Sequence, residues 1–310
     1  MDNREKAVRL QENINKVLIG KEEVVRDVVV CFLAGGHILL EDVPGVGKTT
    51  LALALARSMS CSFGRIQFTP DTLPSDVTGT AVYQMQLQQF VYQPGVVMNN
   101  IILADEINRT SPKTQAGLLE AMEEKQVSVD GKVYPLPEPF LVIATQNPIE
   151  YIGTYPLPEA QLDRFMMKLT IGYPDTEQEL KMASRFLSGE ADREIEAVIG
   201  PEDLLAMREE LTGVTIQDKV LSYAETIITS TRSDEGFSLG ASPRAFLHLL
   251  AAARANAYLD GRDYVRPDDV RDEAAKVLAH RMVLSPEARI RRDEPAALLR
   301  AMIGRIRVPV

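Results

Sequence analysis

The sequence contains few cysteines and histidines, which argues against a disulfide framework or a metal centre. The two cysteines, Cys31 and Cys61, stand far apart in apolar surroundings, as reduced core thiols do. The three histidines, His37, His248 and His280, are equally scattered and lack the spacing of metal ligands. We therefore expect core thiols and structural histidines at these positions.

Long apolar runs and an N-terminal targeting pattern are also missing. No run approaches the roughly 20 apolar residues that a membrane-spanning helix needs. The first residues, Met1 to Lys6, lack the pattern of a signal peptide. We therefore expect a cytoplasmic protein without direct membrane insertion.

Positively charged residues are fewer than negatively charged ones. The chain has 34 lysine and arginine residues against 44 aspartate and glutamate residues, a formal net charge of −10. Sequence-independent binding of DNA or RNA is driven by Lys and Arg contacts that release counterions from the phosphates. The balance therefore argues against a nucleic-acid partner, although it leaves room for a local basic patch.

The 310 residues, of which 45% are hydrophobic and 25% charged, are enough for two globular domains with a substantial core. Strand and helix patterns alternate as far as Pro174, and helical patterns follow. We predict an α/β domain over residues 1–174, with a parallel sheet flanked by helices, and an all-α domain over residues 175–310. Its predicted helices are 177–187, 201–210, 218–229, 243–260, 267–280 and 294–305.

The segment 41–49 has the composition of a phosphate-binding loop. It follows the apolar run 38–40, typical of a buried strand, and leads into a run of helix formers. Lys48 is expected to contact the β- and γ-phosphates, and Thr49 to hold Mg²⁺. Asp42 stands where the strict motif has its first glycine, and an ordinary glycine-rich turn is the alternative. The predicted nucleotide-binding residues of the loop are Pro44, Gly45, Val46, Gly47, Lys48, Thr49 and Thr50.

Two acidic residues, Asp105 and Glu106, end a second apolar run. Open α/β sheets place their sites at the carboxyl ends of such strands. We predict that Asp105 completes the Mg²⁺ shell and that Glu106 orients and deprotonates the attacking water. Asn147, after the strand predicted at 140–144, could hydrogen-bond the γ-phosphate or that water, although Asn before Pro is also an ordinary turn signal.

Two arginines are candidates for stabilising the transition state. Arg164 lies in the short helix predicted at 158–165 and is interpreted as an arginine finger for a neighbouring subunit, with Arg109 as the runner-up and a surface salt bridge as the alternative. Arg244 lies in the first turn of a helix capped by Ser242, where the helix dipole disfavours a cation. An anionic partner is therefore favoured, and we predict that Arg244 reaches the γ-phosphate, with a solvated or salt-bridged arginine as the alternative.

Three further segments are informative. Two of them permit more than one interpretation, and the third is predicted to be a hairpin. Ile19 and Gly20, between two predicted helices, could contact the adenine, but a helix stop fits equally well. The segment 83–95 is predicted to be an inserted hairpin or short helix that projects towards a partner, or a surface loop without one. The segment 127–134 is predicted to be a hairpin with an Asp130-Gly131 turn.

In order and approximate spacing these motifs resemble those of an AAA+ ATPase, and four longer strings resemble the MoxR family. The strings are Asp105-Glu106-Ile107-Asn108-Arg109, Leu118-Leu119-Glu120-Ala121-Met122-Glu123-Glu124, Thr145-Gln146-Asn147-Pro148 and Glu159-Ala160-Gln161-Leu162-Asp163-Arg164-Phe165. The resemblance covers nearly the whole chain.

The resemblance implies a role for each candidate residue. Walker A roles fall to Lys48 and Thr49, Walker B roles to Asp105 and Glu106, sensor 1 to Asn147, the arginine finger to Arg164 and sensor 2 to Arg244. It also implies that segment 83–97 is the helix-2 insert, that 127–134 is the pre-sensor-1 hairpin, and that the C-terminal domain is a lid.

The resemblance further implies a chaperone-type ATPase that binds ATP and Mg²⁺ and forms a homo-hexameric ring. Such proteins work with von Willebrand factor A domain partners, often in metal insertion or complex assembly. We expect hydrolysis at subunit interfaces to move the inserted hairpins against a client protein. The alternatives are a nucleotide-gated scaffold with negligible hydrolysis, a magnesium-chelatase-type subunit and a nucleic-acid motor.

Overall fold

The computed structural model describes residues 2–148, 154–188 and 195–309. The strands are β1 Ile38–Glu41, β2 Phe63–Gln67, β3 Gly79–Gln84, β4 Gln89–Pro94, β5 Ile101–Asp105, β6 Gln126–Val129, β7 Lys132–Pro135, β8 Leu141–Gln146, β9 Met167–Leu169, β10 Phe237–Leu239 and β11 Val283–Leu284. The helices are α1 Asn3–Asn15, α2 Glu22–Leu33, α3 Lys48–Ser58, α4 Pro74–Thr78, α5 Pro112–Glu124, α6 Glu159–Leu162, α7 Thr176–Leu187, α8 Pro201–Leu211, α9 Asp218–Ser233, α10 Pro243–Leu259, α11 Pro267–Leu278, α12 Pro286–Arg291 and α13 Pro295–Ile303.

A five-stranded parallel sheet in the order β2-β5-β8-β1-β9 forms the centre of the N-terminal part. Its strands are covered on both faces, because alternate residues enter different hydrophobic clusters. In β1, Ile38 and Leu40 join the cluster that includes α1, α2 and α3, whereas Leu39 joins the cluster that includes α5. This two-sided burial explains the unbroken apolar runs and confirms the predicted α/β class.

Two hairpins project from this sheet. β3 pairs with β4, and β6 pairs with β7, each antiparallel. The stacked rings of Tyr92 and Tyr134, with centroids 4.0 Å apart, join the two hairpins. Asp130 and Gly131 both have positive φ, as the tight turn of the second hairpin requires. The segment 83–95 is therefore a hairpin, and the alternative of a short helix is wrong.

The C-terminal part consists of helices with one short ribbon, in which β10 pairs with β11. All six predicted helices are present, with α12 in addition. The helix α12 is only six residues long, too short for a visible periodicity, but Ser285 caps it as Ser111 and Ser242 cap α5 and α10. The boundary at residue 174 stays a prediction, since α10 packs against both α1 and α2.

Among the scarce residue types, Cys31, His37 and His280 are buried, and Cys61 and His248 are half-buried. Cys31 and Cys61 are free thiols, and burial raises the pKa of Cys61 to about 11. His37 accepts a hydrogen bond on Nδ1 from the amide of Val142 at 3.0 Å, and burial lowers its pKa to about 4. No helix in the described ranges has the length and apolar character to cross a membrane.

Three charged side chains pack together between α2 and α11, where Asp27 and Glu273 are buried and Lys276 is half-buried. The Nζ atom of Lys276 lies 2.5 Å from the carboxylate of Asp27 and 3.3 Å from that of Glu273. The second oxygen of Glu273 has no hydrogen-bond partner among the described residues. Burial raises the pKa of Glu273 to about 7; Lys276 opposes this rise, and the charge of Asp27 adds to it.

The substitution Glu273→Gln is expected to weaken the pH dependence of stability. The pKa of this carboxyl is 4.5 in an unfolded chain and about 7 in the folded protein. Because the folded state binds the proton more tightly, its contribution to stability is present below pH 4.5 and is lost as the pH rises through 7. As the pH rises from 4.5 to above 7, the unfolding free energy of the parent should therefore fall by up to about 3 kcal/mol more than that of the variant.

Urea titrations at about pH 4.5 and pH 8 measure this difference. The matched control is Asp272→Asn, since Asp272 lies on the same helix with a side chain that is 60% exposed. If the unfolding free energy of Glu273→Gln depends on pH as that of the parent does, the raised pKa does not belong to Glu273.

Candidate nucleotide site

The segment between β1 and α3 forms a loop whose backbone turns around a cavity of about 390 Å³. Gly45 and Gly47 have φ angles of 88° and 98°, which strongly favour glycine. Gly47 is also the N-cap of α3, so the first free amides of that helix lie beside the cavity. The described residues that line the cavity are Pro44, Gly45, Gly47, Lys48, Thr49, Thr50, Arg65, Gln67, Asp105, Glu106 and Thr145.

Asp42, the departure from the strict loop motif, is buried and anchors the loop. Its carboxylate accepts hydrogen bonds from the amides of Ile171 and Gly172, just beyond β9. Its carbonyl oxygen accepts a hydrogen bond from Nζ of Lys48 at 3.0 Å. A glycine could not make the side-chain contacts, so the substitution ties the loop to the edge strand of the sheet.

Asp105 and Glu106 lie at the end of β5, as predicted. Asp105 forms an ion pair with Arg65 at 2.8 Å, and its other oxygen accepts a hydrogen bond from the hydroxyl of Thr145 at 3.3 Å. Glu106 has a φ of 57°, and its amide donates to the same hydroxyl. Gln67 donates to the Glu106 carboxylate at 2.6 Å. Both acids are thus held by side chains from the neighbouring strands β2 and β8.

Arg109, the runner-up for the arginine finger, belongs to the same cluster. Its Nε atom lies 3.1 Å from Oε2 of Glu106 in its own chain. Gln67 and Arg109 therefore contact the same oxygen of the Glu106 carboxylate, and both restrict its orientation. This placement makes Arg109 a partner of the predicted catalytic base.

Sequence reasoning missed Arg65, Gln67 and Thr145. Each lies at or near the carboxyl end of a strand that is hydrogen-bonded to β5, and Gln67 is in register with Asp105. The available signal in the sequence is a polar residue at the end of an apolar run. This signal indicates a residue of the site only once the strand order is known. That order depends on contacts between distant segments.

The oxygen donors at the cavity suit Mg²⁺. Thr49 offers a hydroxyl and Asp105 a carboxylate, both of which are ligands for hard cations. No group of three or more His, Cys, Asp or Glu residues in the described chain could hold a metal by itself. The chemistry thus fits an ion that takes its remaining ligands from water and phosphate oxygens, as Mg²⁺ commonly does.

Four predicted residues do not line this cavity: Ile19, Gly20, Val46 of the loop and Asn147. Asn147 is buried just after β8 but does not line the cavity among the described residues. Ile19 and Gly20 line a separate hollow of about 940 Å³ beside α7, where the carbonyl of Gly20 accepts a hydrogen bond from Gln178 at 3.2 Å. Leu18, the residue before Ile19, approaches Gly47 of the loop. The contact of Ile19 and Gly20 with the adenine stays a prediction.

Arg164 and Arg244 also lie outside the cavity, and they lie together. Both form ion pairs with Glu123, at 2.9 Å and 2.5 Å respectively. Arg244 is therefore paired with a carboxylate in its own chain, as in the salt-bridged alternative considered for it. Neither arginine lines the cavity formed by the loop of the same chain.

Comparison with known proteins identifies the class to which the fold belongs. Residues 37–167 match the model of the ATPase family associated with various cellular activities (AAA), and residues 229–301 match the AAA lid domain. The crystal structure of a candidate ATPase from Cytophaga hutchinsonii has a TM-score of 0.92 and 39% identity, covering 99% of this chain and 96% of that one. Fold and site together define an ATPase of the AAA class.

Relatives that match nearly the full length of the chain identify the family within the AAA class. The chain is 50% identical over 299 residues to the uncharacterised protein YeaC of Bacillus subtilis, covering 96% of this chain and 93% of that protein. It is 39% identical over 305 residues to the chaperone MoxR1 of Mycobacterium tuberculosis, covering 96% and 80%. The chain belongs to the MoxR family of AAA+ ATPases.

Proposed function

We propose that this protein is a cytoplasmic, Mg²⁺-dependent ATPase that uses hydrolysis to remodel or assemble client protein complexes. The observation that carries the proposal is the convergence of Lys48, Thr49, Asp105 and Glu106 on one cavity. These residues supply a cation for the phosphates, two oxygen ligands for a metal and a base for water.

The chemistry requires positioning and charge stabilisation rather than a covalent intermediate. Bound Mg²⁺ would neutralise developing charge on the phosphates, and Thr49 and Asp105 are the residues to hold it. Glu106 accepts the proton of the attacking water, and Gln67 and Arg109 hold its carboxylate in place. Asn147 follows β8, next to β5, and is assigned to the γ-phosphate or the water.

A ring accounts for the two remaining arginines. Since Arg164 and Arg244 lie away from the cavity of their own chain, a neighbouring subunit must present them if they act on a nucleotide. We assign Arg164 as the finger and Arg244 as its companion in a homo-hexamer. The site of each subunit is then complete only at the interface.

The hairpin β3-β4 is the surface proposed to move against a client. No charged residue occurs between Asp76 and Asp105, which includes this hairpin. Met85 and Phe90 near its tip are 86% and 65% exposed. Apolar side chains this accessible are typical of protein contacts.

A relative carries the name chaperone, and we extend that activity, with a von Willebrand factor A domain partner, to this chain.

The substitution Glu106→Gln tests the remodelling proposal. It removes the base but keeps the size and one hydrogen-bond acceptor, so ATP should bind normally while phosphate release falls by about 10²- to 10⁴-fold. The stalled protein with ATP should retain its client in a pull-down. Glu120→Gln, an exposed acid on α5, is the matched control.

Two results speak against the proposal. If phosphate release is equally feeble in Glu106→Gln and the parent, the protein is a nucleotide-gated scaffold instead of an ATPase. If the stalled variant hydrolyses nothing but recovers only itself, the remodelling activity is not supported.

A further inference from the structure

Glu123, near the C-terminal end of α5, bridges two arginines from distant parts of the chain. Its Oε2 lies 2.9 Å from Nη2 of Arg164, and its Oε1 lies 2.5 Å from Nη2 of Arg244. The exposed fractions of the side chains are 34% for Glu123, 28% for Arg164 and 39% for Arg244. The three side chains thus form one group that another subunit can reach.

The backbone beneath this group is held without Glu123. Ser242, the cap of α10, donates its hydroxyl to Asp163 at 2.8 Å, which joins the start of α10 to the residue before Arg164. The buried Arg281 contacts Asp163 at 3.3 Å and donates to the carbonyl of Phe165 at 2.5 Å. Loss of the Glu123 carboxylate should therefore change where the two arginine side chains lie and leave the fold intact.

The charges explain why a carboxylate is needed between the arginines. Two guanidinium groups that approach the same place repel each other, and long arginine side chains otherwise populate many rotamers. Glu123 engages Nη2 of each arginine, and Nη1 of Arg244 also lies 4.0 Å from Oδ2 of Asp163. Each guanidinium has five N–H donors, so donors remain on both arginines for another anion. The three side chains carry one net positive charge, which suits a polyphosphate.

We propose that Glu123 is a positioning residue that holds Arg164 and Arg244 side by side, as one cationic pair, for the nucleotide of the neighbouring subunit. The inference rests on the proposed function, in which both arginines act across the interface. Glu123 acts through the arginines and does not touch the nucleotide. Its contribution is preorganisation, because the pair is in place before the phosphates arrive.

Turnover by the assembled protein gives the first test. Glu123→Gln removes the charge at nearly constant volume, and we expect kcat for ATP hydrolysis to fall by about tenfold. The KM for ATP should change little, because the loop that binds ATP belongs to the other side of the interface. Glu124→Gln is the matched control, since Glu124 is the adjacent exposed residue of the same helix and should behave as the parent does. An unchanged or raised kcat in Glu123→Gln overturns the inference.

Subunit mixing gives the second test and isolates the interface. Glu106→Gln subunits cannot hydrolyse their own ATP but can present arginines to Arg164→Ala subunits, so a mixture of the two should recover turnover. Donors that carry both Glu106→Gln and Glu123→Gln should restore about tenfold less turnover. Donors with Glu106→Gln and Glu124→Gln should restore as much as Glu106→Gln alone.

The two tests separate the possible failures. If Glu106→Gln donors restore nothing, the arginines do not act across the interface, and their assignment to the neighbouring subunit's nucleotide falls together with this inference. If they restore turnover equally well with and without Glu123→Gln, only the positioning role of Glu123 is overturned. A role limited to folding predicts no difference that is specific to the donor subunit.

Discussion

Replacing Arg164 by alanine is expected to lower ATP turnover by about 10³- to 10⁵-fold, the usual contribution of an arginine finger. ATP binding should remain close to that of the parent, because Arg164 lies outside the cavity formed by the loop of its own chain. Its guanidinium is instead held at the surface by Glu123, from which a neighbouring subunit can receive it. Steady-state phosphate release and equilibrium binding of a fluorescent ATP analogue measure the two quantities.

Arg109→Ala is the comparison that decides which arginine is the finger. Arg109 contacts Glu106 within its own chain, so its loss should disturb the orientation of the base and reduce turnover by only about tenfold. If Arg109→Ala produces the larger loss and Arg164→Ala hydrolyses normally, Arg164 is the wrong choice. Full turnover per subunit at every dilution would also contradict a site completed by a neighbour.

The second large effect is expected from Lys48→Ala, which should weaken ATP binding by about 100-fold, equivalent to about 3 kcal/mol. The Lys48 ammonium lines the cavity and donates to the carbonyl of Asp42, so it is already placed at the loop before any phosphate is present. Its removal leaves the phosphates with backbone amides but without the facing cation. Isothermal titration with ATP in the presence of Mg²⁺ measures the change.

Arg57→Ala provides the control for Lys48→Ala. Arg57 is an exposed cation in the last turn of the same helix, at the end away from the loop. Its loss changes the net charge equally but should leave ATP affinity unchanged. A Lys48→Ala protein that binds ATP as tightly as Arg57→Ala does would exclude the loop as the phosphate site.

Local patterns were sufficient to predict most of the elements. The glycines before α3, the Ser-Pro starts of α5 and α10 and the Asp130-Gly131 turn each depend on a few adjacent residues, and each predicted element is present. The segment 83–95 was ambiguous, because four of the six residues that pair with β4, residues 79–82, and the packing partner Tyr134 lie outside the segment. Helix α12 was missed because six residues show no periodicity.

The sequence by itself determined where the phosphate loop lies and which two acids follow β5, because each of these is written in consecutive residues. Only the tertiary structure decided what surrounds them. The contacts of Arg65 and Gln67 with the acids follow from the pairing of β2 with β5, and those of Asp42 from the end of β9. The bridge of Arg164 and Arg244 by Glu123 joins positions up to 121 residues apart. Such contacts depend on strand order and helix packing. These are properties of the whole chain and cannot be predicted from any short segment of it.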